Sequence, residues 1–153
     1  MAASTIPVAG ASSKTRYALT LTSGTSYTVP TGVTYLNVTL KGGGGGGGIG
    51  VSSTVLGCNG HGGEIVSSTL SATAGASITY AIGAGGASAT NGGTTSFTGA
   101  TSAVGGNKGT AATNQVGTVG SNYLSAVNGG AGSSGASAAG AGGNGSIDVE
   151  YWV

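Results

Sequence analysis

Charge is the scarcest commodity in this chain. Four basic and three acidic residues are spread over 153 positions, for a net charge of +1. Binding to nucleic acid draws on clustered Lys and Arg that displace counterions from phosphate. No such cluster occurs, so no nucleic-acid partner is expected. Proline is almost missing, at two residues, which excludes collagen and stiff proline-rich spacers. A single cysteine, Cys58, excludes an intrachain disulfide framework. No apolar run approaches the about 20 residues that a membrane-spanning helix needs, so no membrane insertion is expected. Residues 1–8 have neither the positive start nor the apolar centre of a signal peptide, which points to synthesis in a cytoplasm. Disordered chains are usually rich in charge and proline, and this one has little of either.

What remains is glycine, 35 residues of it, together with Ser, Thr, Asn and short β-forming runs. Residues 34–40 alternate cleanly, with Leu36, Val38 and Leu40 on one face and Tyr35, Asn37 and Thr39 on the other. Further strands are expected at 17–22, 26–29, 64–70, 77–82, 94–97 and 146–153. The turns Ser23-Gly24, Pro30-Thr31-Gly32 and Ala74-Gly75 separate several of them. In the last strand Ile147, Val149 and Tyr151 share a face, which leaves Asp148 and Glu150 on a solvated one. No segment has a helical period. The expected organisation is a single glycine-rich β-domain over 17–153, preceded by an arm, 1–16, that is a possible attachment segment.

The glycine-rich stretches carry a second period. Gly42 to Gly48 follow the clearest strand without a break, so Gly42, Gly45 and Gly48 stand three apart. Gly57, Gly60 and Gly63 repeat that spacing, as do Gly83 and Gly86 (continued by Ala89 and Gly92), Gly106 and Gly109 (continued by Ala112), and Gly129, Gly132 and Gly135. Three residues per turn is the period of the polyproline-II helix, which forms no internal hydrogen bonds. Buried, such a leg leaves every backbone N–H and C=O to be satisfied by its neighbours. Several legs side by side could do this, provided no Cβ holds the backbones apart. The predicted fold is thus mainly β: an antiparallel β-sandwich whose glycine-rich loops form a polyglycine-II-like bundle.

Chemistry-bearing motifs are few. Gly42, Gly44 and Gly47 can be fitted to a dinucleotide fingerprint, but no helix N-terminus follows to receive a phosphate. Cys58, His61 and Glu64 are three apart, hence about 9 Å from one another along a straight leg. That is too far to share a metal whose ligands lie at about 2.0–2.3 Å. With one histidine and no convincing triad, no enzyme activity, metal or cofactor is expected. Recognition parts are better represented. The stretch 114–128 interrupts the glycine pattern with Asn114, Gln115, Asn122 and Tyr123, and 51–61 interrupts it with Asn59 and His61. Exposed amides and aromatics on loops are common recognition elements, so these six residues are the receptor-binding candidates.

An ordered series of landmarks runs through the chain: SYTVPTGV at 26–33, LNVTLKGGGGG at 36–46, SATAG at 71–75, ITYAIGAGG at 78–86, GGTTSF at 92–97 and GAGGNGSIDVEY at 140–151. This series resembles the glycine-rich domain of bacteriophage tail-fibre and tail proteins, with Ala74 standing where that family often has proline. The resemblance implies a virion component, made in the host cytoplasm and placed at or near a fibre tip. It implies a homotrimer in contact with other virion proteins. Loops would be presented to a host cell-surface polysaccharide or outer-membrane protein. The chain lacks shaft repeats, so a head-fibre or capsid decoration subunit without receptor binding is the alternative. Glycine-rich legs and abundant Thr raise an ice-binding protein as a third.

Overall fold

The computed structural model describes residues 14–52, 54–113, 129–131, 133 and 138–153. All regular structure among them is β. The strands are β1 (Arg16–Leu21), β2 (Ser26–Thr28), β3 (Tyr35–Lys41), β4 (Val55–Gly57), β5 (Ile65–Ser71), β6 (Ser77–Ala81), β7 (Ser96–Phe97), β8 (Ala111–Thr113) and β9 (Ser146–Trp152). Two antiparallel sheets, in the orders β1-β9-β3-β5 and β2-β6-β7, form the sandwich. The expected strands are all present. The short pair β4–β8 was not expected, because three residues of Val-Leu-Gly or Ala-Ala-Thr carry no readable alternation.

The alternation in β3 settles which face goes inward. Leu36, Val38 and Leu40 are buried, and so are Ile147 and Val149 opposite them on β9. Tyr27, Val29, Val33, Tyr80 and Phe97 from the other side of the sandwich complete one cluster. Phe97 lies 6.2 Å from the Tyr27 ring and 6.3 Å from that of Tyr80. Full burial of each aliphatic or Phe side chain contributes on the order of 1.5–3 kcal/mol. The outer face carries the charges: Lys41 pairs with Asp148 at 2.7 Å, and Arg16 with Glu150. At the turns, Gly32 and Gly75 adopt φ of 84° and 78°, a region that side chains disfavour.

Beyond Lys41 the chain leaves the sheet and enters a bundle of extended legs. Each residue of a three-per-turn leg points its N–H and C=O in directions that recur every third position. One leg can therefore serve six neighbours, three as donor and three as acceptor. Residues 42–48 do so. Gly42, Gly45 and Gly48 donate to the carbonyls of Glu64, His61 and Cys58; Gly43 and Gly46 to Gly93 and Thr90; Gly44 and Gly47 to Gly143 and Gly140, all at 2.8–2.9 Å. In return the carbonyls of Gly43 and Gly46 accept from Gly106 and Gly109, those of Gly44 and Gly47 from Gly86 and Ala89, and those of Gly45 and Gly48 from Gly130 and Ser133. Three neighbours run antiparallel to the central leg and three parallel, in alternation around it.

The ring closes on itself. Cys58, His61 and Glu64 donate to Thr110, Asn107 and Val104; Gly92 to Gly106; Gly93 to Ala84; Gly142 and Gly145 to Gly86 and Gly83; Gly140 to Ala131; and Gly60 to Gly130. The spacing leaves no room for a methyl group. A Cβ on Gly42, Gly45 or Gly48 would overlap the backbone of Val104, Asn107 or Gly109, and one on Gly57, Gly60 or Gly63 would overlap Gly48, Gly45 or Gly42. Gly83, Gly86 and Gly129 are equally confined, by Gly93, Thr90 and Gly60. Gly132 and Gly135 lie outside the described residues. Two extensions of the period do not hold as one leg. The chain reverses at 87–90, with Ala89 at φ 56°, so Gly92 belongs to the next leg. Ala112 belongs to β8.

Candidate functional site

Because the central leg starts at the sandwich and runs away from it, the bundle has a near end and a far end. Thr95, wholly buried, ties the near end: its hydroxyl donates to the Lys41 carbonyl at 2.7 Å and accepts from Gly83 N–H at 2.9 Å. At the far end the chain reverses in 49–57 and in 87–90, the legs holding Ser133 and Gly140 reach the same level, and the β4–β8 ladder extends two of the legs. These segments form a tip opposite the sandwich. They are cross-tied: Gly50 N–H donates to the Ser133 hydroxyl at 3.1 Å, and Ala139 N–H to that of Ser88 at 3.0 Å. The Ser52 hydroxyl accepts from Thr54 and Val55 N–H and so holds the first reversal in a fixed turn. Ile49 and Val51 stand exposed there, Val51 at 68 %.

Among the described residues the tip has no Asp, Glu, Lys or Arg. In sequence, 49–57, 87–90 and 138–139 are free of them, and so is 114–128, which lies outside the described residues. The chemistry of the described tip is hydroxyl and aliphatic. The charges cluster elsewhere, chiefly at the sandwich, where the Lys41 pair governs Asp148. Partial burial pushes the Asp148 carboxyl up, but hydrogen bonds from Lys41 and Thr20 and the charge of Lys41 together outweigh it and hold it below the usual carboxylate range. Tyr27 is pushed up to about 12, by burial first and by Tyr151 second.

Of the six receptor-binding candidates, Asn59 and His61 are described. They sit on the leg 58–64, on the flank of the bundle, and not in an interrupting loop: the reversal ends before them, and the backbone from Cys58 onward already makes leg-to-leg hydrogen bonds. His61 is exposed and Asn59 half-buried. Asn114, Gln115, Asn122 and Tyr123 lie outside the described residues. Their flanking residues are Thr113, in the ladder at the tip, and Gly129, packed on Gly60. Sequence reasoning missed the 87–90 reversal as a tip element. Its only local sign is the Ala-Ser-Ala-Thr break in the glycine spacing. Among the described residues no three His, Cys, Asp or Glu side chains converge as metal ligands would.

The end of the sandwich remote from the bundle is different in kind. Tyr35 opens β3 there, Trp152 closes β9 with Val153 just beyond it, and Tyr17 stacks on Tyr151 with centroids 5.3 Å apart. Tyr17, Tyr35, Trp152 and Val153 are all exposed. The molecule thus has a neutral polar tip and an aromatic base.

No curated protein matches the chain. A family model described as a glycine-rich domain matches residues 20–151, which takes in the strands from β2 to β8, the bundle, the end of β1 and all of β9 but Trp152. The chain belongs to this glycine-rich domain family.

Proposed function

We propose that the chain is a bacteriophage virion protein, a tail-fibre or tail-tip subunit that presents loops for adhesion to a host receptor. The observation that carries this reading is the gathering of the bundle's reversals at one end, remote from the sandwich, on a rod that backbone hydrogen bonds make rigid. A tip free of formal charge suits a hydroxyl- or amide-bearing receptor, a cell-surface polysaccharide or the outer loops of a membrane protein. Specificity would rest on hydrogen bonds and shape. The aromatic base fits attachment to a neighbouring virion protein, and a homotrimer is the expected assembly.

Immunogold labelling of intact particles tests the placement. Label at fibre or tail tips supports adhesion; label over the head selects a head-fibre or decoration subunit instead. Purified protein should also compete with particles for adsorption, and the competition should persist at high ionic strength because the tip has no formal charge to screen. Substitutions at Gln115, Asn122 and Tyr123 should weaken it. Competition unaffected by changes at all three would sink the receptor-binding part of the reading.

A further inference from the structure

The three carboxylates of the chain are treated unequally. Asp148 and Glu150 face Lys41 and Arg16 across the outer sheet, whereas Glu64 has no ion pair among the described residues. It sits where the leg 58–64 meets β5, and it is held still. Its N–H donates to the Val104 carbonyl at 2.9 Å, and its Oε2 accepts from Val104 N–H at 3.0 Å. One oxygen is thereby fixed by the neighbouring leg, and the carboxylate is oriented before any ligand arrives.

That carboxylate borders a groove of about 330 Å³ between the legs 58–64 and 104–110, at the small end of the range for small-molecule sites. The imidazole of His61 and the amide of Asn107 line it with Glu64, and Val104, exposed at 58 %, supplies an aliphatic patch. Gly62, Gly105 and Gly106 add only backbone, so a ligand can approach the legs closely.

We propose that this groove is a saccharide subsite for a neutral pyranose, bound through a pair of adjacent hydroxyls. A carboxylate accepts two hydroxyl hydrogen bonds at once, and bonds to a charged acceptor are the stronger kind. The Asn107 amide can both donate and accept, and Val104 packs on the C–H face of the ring. The negative charge of Glu64 rejects acidic sugars by like-charge repulsion. The subsite lies on the flank of the bundle, apart from the tip, and stands whether or not the tip binds a receptor.

The test is a backbone amide chemical-shift titration of the full chain with methyl glycosides of mannose, galactose, glucose and N-acetylglucosamine, and with methyl glucuronide as the acidic control. At least one neutral glycoside should shift the amides of 61–64 and 104–107 saturably in the millimolar range, and the glucuronide should not. Glu64→Gln retains an oxygen to accept from Val104 N–H, so the leg join and the amide spectrum should persist while affinity falls about tenfold. The proposal is overturned by silence across the neutral panel, by shifts confined to the tip, by equal binding of the glucuronide, or by wild-type affinity in a folded Glu64→Gln variant.

Discussion

In the sandwich, Leu36, Leu40, Phe97 and Ile147 bury side chains against one another, and backbone pairing follows the register that those side chains impose. In the bundle, residues 42–48 are just as buried but have no side chains at all. There the backbone is the core, and its N–H and C=O groups do the selecting. The two regions consequently tolerate opposite errors. A sandwich loses stability when atoms are removed, because a cavity is left behind. A polyglycine bundle loses it when atoms are added, because a neighbouring leg must move away to admit one methyl group.

The largest expected effect comes from setting those errors side by side. Leu36→Ala should cost about 2–5 kcal/mol as a large-to-small core change. Gly45→Ala, which adds one carbon against the Asn107 backbone, should cost at least as much, above about 4 kcal/mol, as an overpacking that rigid backbone cannot relax. Urea unfolding of both variants decides it. A Gly45→Ala protein within about 1 kcal/mol of wild type would mean that the legs are not in contact as described.

Tyr27 probes how dry the sandwich is. Its hydroxyl is buried and finds no hydrogen-bond partner among the described residues. The unfolded phenol ionises near 10 and the folded one only near 12. The folded state therefore keeps a proton that the unfolded state gives up, and stability should fall as pH rises from about 10 through about 12. Tyr27→Phe should flatten that alkaline limb and leave neutral-pH stability nearly unchanged, since no hydrogen bond is lost. A marked loss at pH 7 would reveal a partner for the hydroxyl.

The outer face of the opposite sheet, β1-β9-β3-β5, gives a smaller effect of opposite sign. The lowered Asp148 carboxyl contributes stability above the ordinary carboxylate pKa, and that contribution is lost as pH falls through its folded value. Asp148→Asn should make acid unfolding less steep, and added salt should shrink the difference between the two proteins because the pair with Lys41 is partly exposed. Identical acid limbs for the two proteins would remove the ion pair from the account. The smallest expected change is Ala89→Gly, at the one non-glycine residue of positive φ among those described. Relief of left-handed strain, partly offset by the extra freedom of unfolded glycine, should stabilise by no more than about 1 kcal/mol. Thermal unfolding would show it, and a lower Tm would contradict the local geometry.

The sandwich was legible in the sequence because Leu36, Val38 and Leu40, or Ile147 and Val149, state which face is inward. The legs were legible too, in the three-residue spacing of Gly57, Gly60 and Gly63. Which leg touches which was not. Glycine has no side chain with which to name a partner, so nothing near Gly45 announces that its neighbours are His61, Asn107 and Gly130. The reversal at 87–90 and the ladder of Val55–Gly57 with Ala111–Thr113 were missed for the same reason: each depends on where distant legs end. The isolation of Glu64 needed the structure as well, since three acids and four bases could pair in many ways.

The central leg also has a mechanical meaning. Every N–H from Gly42 to Gly48 and every carbonyl from Gly43 to Gly48 is tied sideways to a neighbour, at steps of about 3.1 Å along the axis. A pull on the tip against the base runs along that axis and across those ties. It loads them together in shear, where a hairpin pulled open from one end would yield one bond at a time. The rod is built to carry tension along its length, and it should fail abruptly, as a unit.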